Sequence, residues 1–275
     1  MRATTSGEVD VDALVPLRAE EIGPKLGRAD LSSRFNPFLS RFARETVGSG
    51  GQALVHEADG AVEVLVLTDP TERTASVFAR SGAWAEAVTT GTVDSAVYAE
   101  ADLPRSREVF QVHSTVVGEV PSHRFRYPVQ VVQGRALDRV GPLLREVYGS
   151  YPERWPAAAQ DAGEACLGVE ADGRLVGVAW VLVVGRYARL HSLTVPPEYR
   201  RLGIGTDLLF ARLLFAREAG AEQAISEISE RNVGSRTIAE GAGMLPHGRL
   251  FLYPRPGPAG GATAAAFTGA IPTSG

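Results

Sequence analysis

The chain has 275 residues, 44% of them apolar, enough for one large domain or two small ones and too many for an intrinsically disordered chain. Lys and Arg number 28 against 32 Asp and Glu, a net charge of −4 that argues against a nucleic-acid-binding face. The single cysteine, Cys166, excludes an intrachain disulfide and a zinc site built from thiolates, so no metal is expected. A reducing, cytoplasmic compartment fits. The opening MRATTSGEVDVD carries acids and no apolar core, unlike a secretory signal, and no apolar run approaches the roughly 20 residues of a membrane helix.

In chain order, the first thirty or so residues have no clear period, and Pro24 restricts RAEEIGPKLGRAD to short helical pieces. From Asn36 the apolar spacing of Phe38, Leu39, Phe42 and Val47 predicts an amphipathic helix closed by GSGG. Three strands follow in ALVHEA, VEVLVLT and ASVFAR, punctuated by DG and DPTE, with a fourth in SAVYAEA. LPRSREVFQVHSTVV reads equally as helix or strand. A second unit begins near Tyr127 with the strand PVQVVQG. One or two helices follow in ALDRVGPLLREVYGSYPERW, then a hairpin turning at Asp172-Gly173. ARLHSLTV is a strand, a helix runs from about Ile204 to Gly220, AEQAISEIS is a strand, NVGSRTIAEGAGM a short helix and GRLFLY a last strand. The Gly/Ala/Pro-rich end is expected to be a disordered tail. The domains expected are an N-terminal extension over 1–34, an α+β domain over 35–125, a second domain over 126–254 and the tail over 255–275.

The stretch VPPEYRRLGIGTDLL, from Val195 to Leu209, carries the chemistry. The first backbone N–H groups of a helix lack intrahelical partners and, with the macrodipole, attract anions. Gly203 and Gly205 let a bulky anion approach them, and Arg200 and Arg201 add positive charge. On those residues alone, a tight strand-to-helix turn is the better reading. GxxxxGK[ST] and GxGxxG are both absent.

The longer pattern resembles motif A of the GNAT superfamily of N-acetyltransferases, whose core is Gln/Arg-x-x-Gly-x-Gly/Ala. NVGSRTIAEGAGM resembles the second motif of that family through Asn232, Ser235 and Gly243-Met244, with Met in an aromatic place. The resemblance covers roughly Pro128 to Tyr253. It implies an α/β (α+β) fold with a mixed, mostly antiparallel central sheet flanked by helices. The region 35–125 follows a similar order without the glycine motif, so it is a degenerate GNAT-like copy, in a tandem arrangement, or an unrelated α+β domain.

The resemblance implies acetyl-coenzyme A as cofactor and a primary amine of a small molecule or peptide as acceptor. The diphosphate would lie on Arg200, Arg201, Leu202, Gly203, Ile204, Gly205 and Thr206. The pantetheine arm would pair along Leu193, Thr194 and Val195, with the Val195 N–H on the thioester carbonyl, and Asn232 would contact the arm. For the base there are two candidates, His191 in LHSLTV and Glu227, five residues before Asn232. By strand parity His191 shares a face with Leu193 and Val195. Each reads equally well as a structural residue of a strand. A Tyr often found seven residues after the Asn is here Ala239, leaving the general acid open, with Tyr199 and Tyr253 as distant candidates. Tyr151 and Trp155 are acceptor-side candidates. Two other readings stay open: a non-catalytic acyl-coenzyme A sensor, and an acyltransferase using another acyl thioester. Neither nucleic acid nor membrane is expected as a partner, and the oligomeric state, a homodimer included, is open.

Overall fold

A computed structural model describes residues 9, 11–31, 33, 35–69, 74–91, 96–100, 108–149 and 155–253. The Gly/Ala/Pro-rich end and Tyr151 lie outside them. Two compact units divide the described chain, one ending at Val109 and regaining the segment from Arg249, the other spanning Phe110–Gly248.

The first unit contains β1 (Val15–Pro16), α1 (Ala19–Leu26), α2 (Leu39–Gly48), β2 (Gln52–Ala58), β3 (Ala61–Asp69), β4 (Thr74–Ala79), α3 (Gly82–Gly91) and β5 (Ala96–Ala99). The second contains β6 (Glu108–Val116), β7 (Val129–Val132), α4 (Val140–Tyr148), α5 (Trp155–Asp161), β8 (Ala165–Ala171), β9 (Arg174–Val184), β10 (Tyr187–Thr194), α6 (Ile204–Glu218), β11 (Gln223–Ser229) and α7 (Val233–Gly241). The last strand, β12, runs Leu245–Tyr253.

Each unit builds the same sequence of pairings. In the first, β1, β2, β3 and β4 are antiparallel neighbours, β4 pairs parallel with β5 across α3, and β5 pairs antiparallel with Phe251–Tyr253 of β12. In the second, β7, β8, β9 and β10 are antiparallel neighbours, β10 pairs parallel with β11 across α6, and β11 pairs antiparallel with β6. The closing strand of each unit therefore comes from the other half of the sequence. The ambiguous segment before Val117 is a strand, because β11 offers Glu108–Val116 a partner at every residue from Phe110 to Val116.

The hairpins turn where both central residues take positive φ, Asp59-Gly60 at 52° and 76° and Asp172-Gly173 at 50° and 74°. Such turns match the right-handed twist of the strands they join. β8 and β9 are apolar on both faces because helices cover both. Val132, Leu144, Cys166 and Trp180 pack on the α4 side, and Val169, Val176, Ile204 and Leu208 on the α6 side. Burial there pushes the Cys166 thiol well above its ordinary range, as expected of a packed side chain. Contrary to the expectation of an interrupted segment, α1 continues through Pro24. Its buried Ile22 and Leu26 are one turn apart, and their burial outweighs the single ladder bond that Pro24 withholds.

Candidate active site

The site is built where β10 and β11 part. Their parallel pairing covers only Tyr187–Arg189 with Gln223–Ile225. Beyond it β11 remains bonded to β6, while β10 remains bonded to β9. A cleft opens between them, floored by α6 and α7 through Leu209, Arg212, Ile238 and Ala239.

β10 bends at Ser192, which takes φ 50°. The register with β9 shifts there: His191 lies opposite Trp180, but Thr194 lies opposite Val178. This bulge overturns the parity expectation. One extra residue puts Thr194, not Leu193, on the His191 face. Leu193 and Val195 turn instead toward Ile204 and Leu208 of α6.

Charged side chains gather at the splay. Arg189 and Glu227, both buried, form an ion pair through Arg189 Nε, 3.0 Å and 3.3 Å from the two carboxylate oxygens. His191 is buried beside them. Its Nε2 lies 3.0 Å from an oxygen of Glu164, a buried carboxylate just before β8, and its Nδ1 lies 3.1 Å from Ser192 Oγ. Arg212 reaches up from α6 and donates to the carbonyls of His191 and Trp180, at 3.1 Å and 3.4 Å. Complete burial lowers the pKa of its guanidinium to about 9. Its Nε has no hydrogen-bond partner among the described residues.

On the α4 side, the Tyr148 hydroxyl is 2.9 Å from Thr194 Oγ1, which itself donates to the Ser192 carbonyl at 3.3 Å. Sequence reasoning missed Tyr148, Glu164 and Arg212. Tyr148 and Glu164 come from elements outside the two motifs, and Arg212 lies on α6 one turn beyond the first motif; no local spacing ties any of them to β10.

After β10, Arg200 Nε donates to the Val195 carbonyl at 3.0 Å and closes the loop on itself. Arg201 and Gly203 take positive φ, 63° and 96°. Gly203 is the N-cap of α6 and has no side chain to accept from the first-turn amides of Ile204, Gly205 and Thr206. Leu202 is exposed. A Cβ on Gly205 would lie 3.3 Å from Ile238 and 3.6 Å from Leu193, so the turn sits tightly against the cleft floor. Asn232 caps α7, its side-chain oxygen accepting from Ser235 N at 3.1 Å. The Asn-x-x-Ser spacing is thus a helix cap at the cleft edge. Ala239 is buried in the floor. Tyr199 packs against the α6-side core, Tyr253 lies in the first unit opposite Val97, and Trp155 begins α5.

A mixed sheet that splays beside a glycine-capped helix defines the acetyltransferase class of fold to which the sequence pointed. Residues 137–243 match the Acetyltransferase (GNAT) family, and the C-terminal half carries a domain of that family. The chain is 26% identical to a mycothiol acetyltransferase of Clavibacter michiganensis subsp. michiganensis over 204 residues, 63% of this chain and 65% of that protein. It is 28% identical to a mycothiol acetyltransferase of Clavibacter sepedonicus over 206 residues, 63% of this chain and 66% of that protein. The matches therefore span just under two thirds of the length of those relatives. Among solved structures, a tandem GNAT protein from the clavulanic acid biosynthesis pathway superposes with TM-score 0.59 at 19% identity, covering 87% of this chain and 97% of that one. Among the described residues, no helix is long and apolar enough to cross a membrane.

Proposed function

We propose that this protein transfers an acetyl group from acetyl-coenzyme A to a primary amine of a small molecule or peptide. The observation that carries the reading is the splay of β10 from β11 beside an α6 whose N-cap is a glycine. The residues present fit the donor. The first-turn amides have no capping side chain, Gly203 adopts the left-handed conformation a close backbone approach needs, and buried Arg212 Nε is unpartnered in the cleft. Arg200, Arg201, Leu202, Gly203, Ile204, Gly205 and Thr206 would hold the diphosphate, with Leu193, Thr194, Val195 and Asn232 along the arm.

When bound, the donor supplies an acetyl thioester, whose thiolate is a tolerable leaving group because a thiol pKa is only about 8.5. His191 takes the proton of the attacking amine, directly or through water, and the Glu164 carboxylate 3.0 Å from Nε2 orients the ring. Glu227 is bound to Arg189, and accepting a proton would weaken that buried pair. Its part is to fix charge beside the base. Tyr148, whose hydroxyl bonds to Thr194 on the strand assigned to the donor arm, takes the acid role that Ala239 leaves open. The curated relatives are named mycothiol acetyltransferases, which supports a small-molecule acceptor.

Coenzyme A release, followed with a thiol reagent over a panel of amines, tests the reading. Release that depends on an amine is expected. Coenzyme A binding without release across the panel would leave a binding module, and no binding would remove the reading altogether.

A further inference from the structure

A buried carboxylate stands in the first turn of α6 with no part in the chemistry above. Asp207 is 1% exposed and accepts three hydrogen bonds from one short segment: His123 Nε2 at 2.6 Å, Arg126 N at 3.0 Å and Tyr127 N at 2.9 Å. His123 is also stacked on Phe210 of the same helix, with ring centroids 4.2 Å apart and planes 9° apart. Desolvating a carboxylate is costly, and three charge-assisted bonds are the compensation. What they secure is the path of the chain just before β7.

That path delivers one side chain to the turn. A Cβ built on Gly203 would lie 3.0 Å from Arg126 Cδ, 3.4 Å from Nη1 and 3.5 Å from Nε, so the Arg126 side chain lies directly over the N-cap of α6. Arg126 is exposed, and no carboxylate pairs with its guanidinium among the described residues. A fixed backbone, a planar cation held at a glycine and no protein counter-ion together describe an arginine waiting for an anion.

We infer that Arg126 is a phosphate-binding residue of the donor site, held in place by Asp207 and His123. It makes the site selective for a thioester carrier with several phosphate charges, as in coenzyme A, over one without phosphate. The inference rests on the proposed function. It adds a third arginine to Arg200 and Arg201, from a segment that the glycine motif does not include. Arg200 already spends Nε on the Val195 carbonyl, which leaves Arg126 with the freer fork.

Calorimetric titration of the full chain with coenzyme A and, separately, with pantetheine tests it. Arg126→Ala is a surface change and should leave the fold intact. It should weaken coenzyme A binding by roughly tenfold to a hundredfold, the value of a hydrogen bond to a charged group, and leave pantetheine binding unchanged. Arg126→Lys should recover part of the loss, since it keeps the charge but not the fork. Unchanged coenzyme A affinity in Arg126→Ala overturns the inference. So does an equal loss for both probes, which would mean a packing role, and so does tighter binding, which would make Arg126 a plug. Failure of the wild-type chain to bind coenzyme A is a different result, and it removes the proposed function instead.

Discussion

The two units repeat one order of strand pairing, yet they differ where a strand runs into the following helix. In the first, β4 reaches α3 through Arg80 and Ser81 alone, and Arg80 Nε is spent on the Asp30 carbonyl at 2.7 Å. Its parallel pair runs without a break from Thr74 opposite Ala96 to Val77 opposite Ala99, and Ala75, Val77, Val97 and Ala99 all belong to an apolar core. In the second, the loop Val195–Gly203 separates β10 from α6, the parallel pairing stops at Arg189, and the buried Arg189–Glu227 pair and the His191–Glu164 contact gather at the splay. The sheet topology is therefore a scaffold. The cleft is made by a bulge that ends the pairing and by a loop long enough to present helix amides.

The largest effects should follow from the buried polar groups at the splay of the second unit. His191→Ala should lower kcat by about a hundredfold to ten-thousandfold, the usual value of a positioned base, while leaving coenzyme A affinity near wild type. Glu164→Gln should cost roughly one order of magnitude less. Steady-state kinetics on each variant checks these outcomes. A Glu164→Gln rate near wild type would reduce the pair to packing. Glu227→Ala should instead show in stability, by about 3–5 kcal/mol in denaturant titration, since it removes one partner of a buried ion pair. A stable Glu227→Ala protein without activity would return the base role to Glu227.

Next in size is the turn. Gly203 has φ 96°, and a side chain there meets both backbone strain and the Arg126 stem at 3.0 Å. Gly203→Ala should cost on the order of 1–2 kcal/mol of stability and raise KM for the donor more than it lowers kcat. Gly82, which begins the corresponding helix of the first unit, should tolerate Ala without any change in donor KM. An equal response at the two glycines would erase the distinction between the helix mouths.

Much of this frame was legible in the sequence because it depends on local patterns. Alternation gave the strands, DG pairs gave the turns, and the motif VPPEYRRLGIGTDLL gave the loop and helix around Gly203 and Gly205. What escaped was set by distant partners. The strand at Glu108–Val116 has no intrinsic preference strong enough to exclude helix, and its state is decided by β11. Parity put His191 with Leu193 because alternation takes no account of an extra residue at Ser192. Glu164, Tyr148 and Arg126 reach the site from a loop, a helix and a pre-strand segment, and only the folded backbone brings them to β10 and Gly203.

The smallest expected effect concerns the closing strands, which differ between the units in one buried histidine. β6 carries His113 into the second unit opposite Ser226, fully buried, whereas β12 offers the first unit Phe251 and Tyr253. Burial lowers the His113 pKa, and this outweighs the Gln111 carbonyl and Glu240, which raise it; Arg236 adds to the lowering. The unfolded chain therefore binds a proton in a range where the folded one does not. Stability should be fully present above the ordinary imidazole pKa near 6.5 and should fall as pH drops below it, by at most about 1.4 kcal/mol per pH unit. Amide exchange measured between about pH 8 and pH 5 should show protection declining in β6 and β11 while β3 and β4 hold theirs. His113→Gln should flatten that dependence even if it lowers stability throughout. A decline of equal slope in both units would assign the acid sensitivity to groups they share, and His113 would then be a packed side chain with no bearing on how the two halves differ.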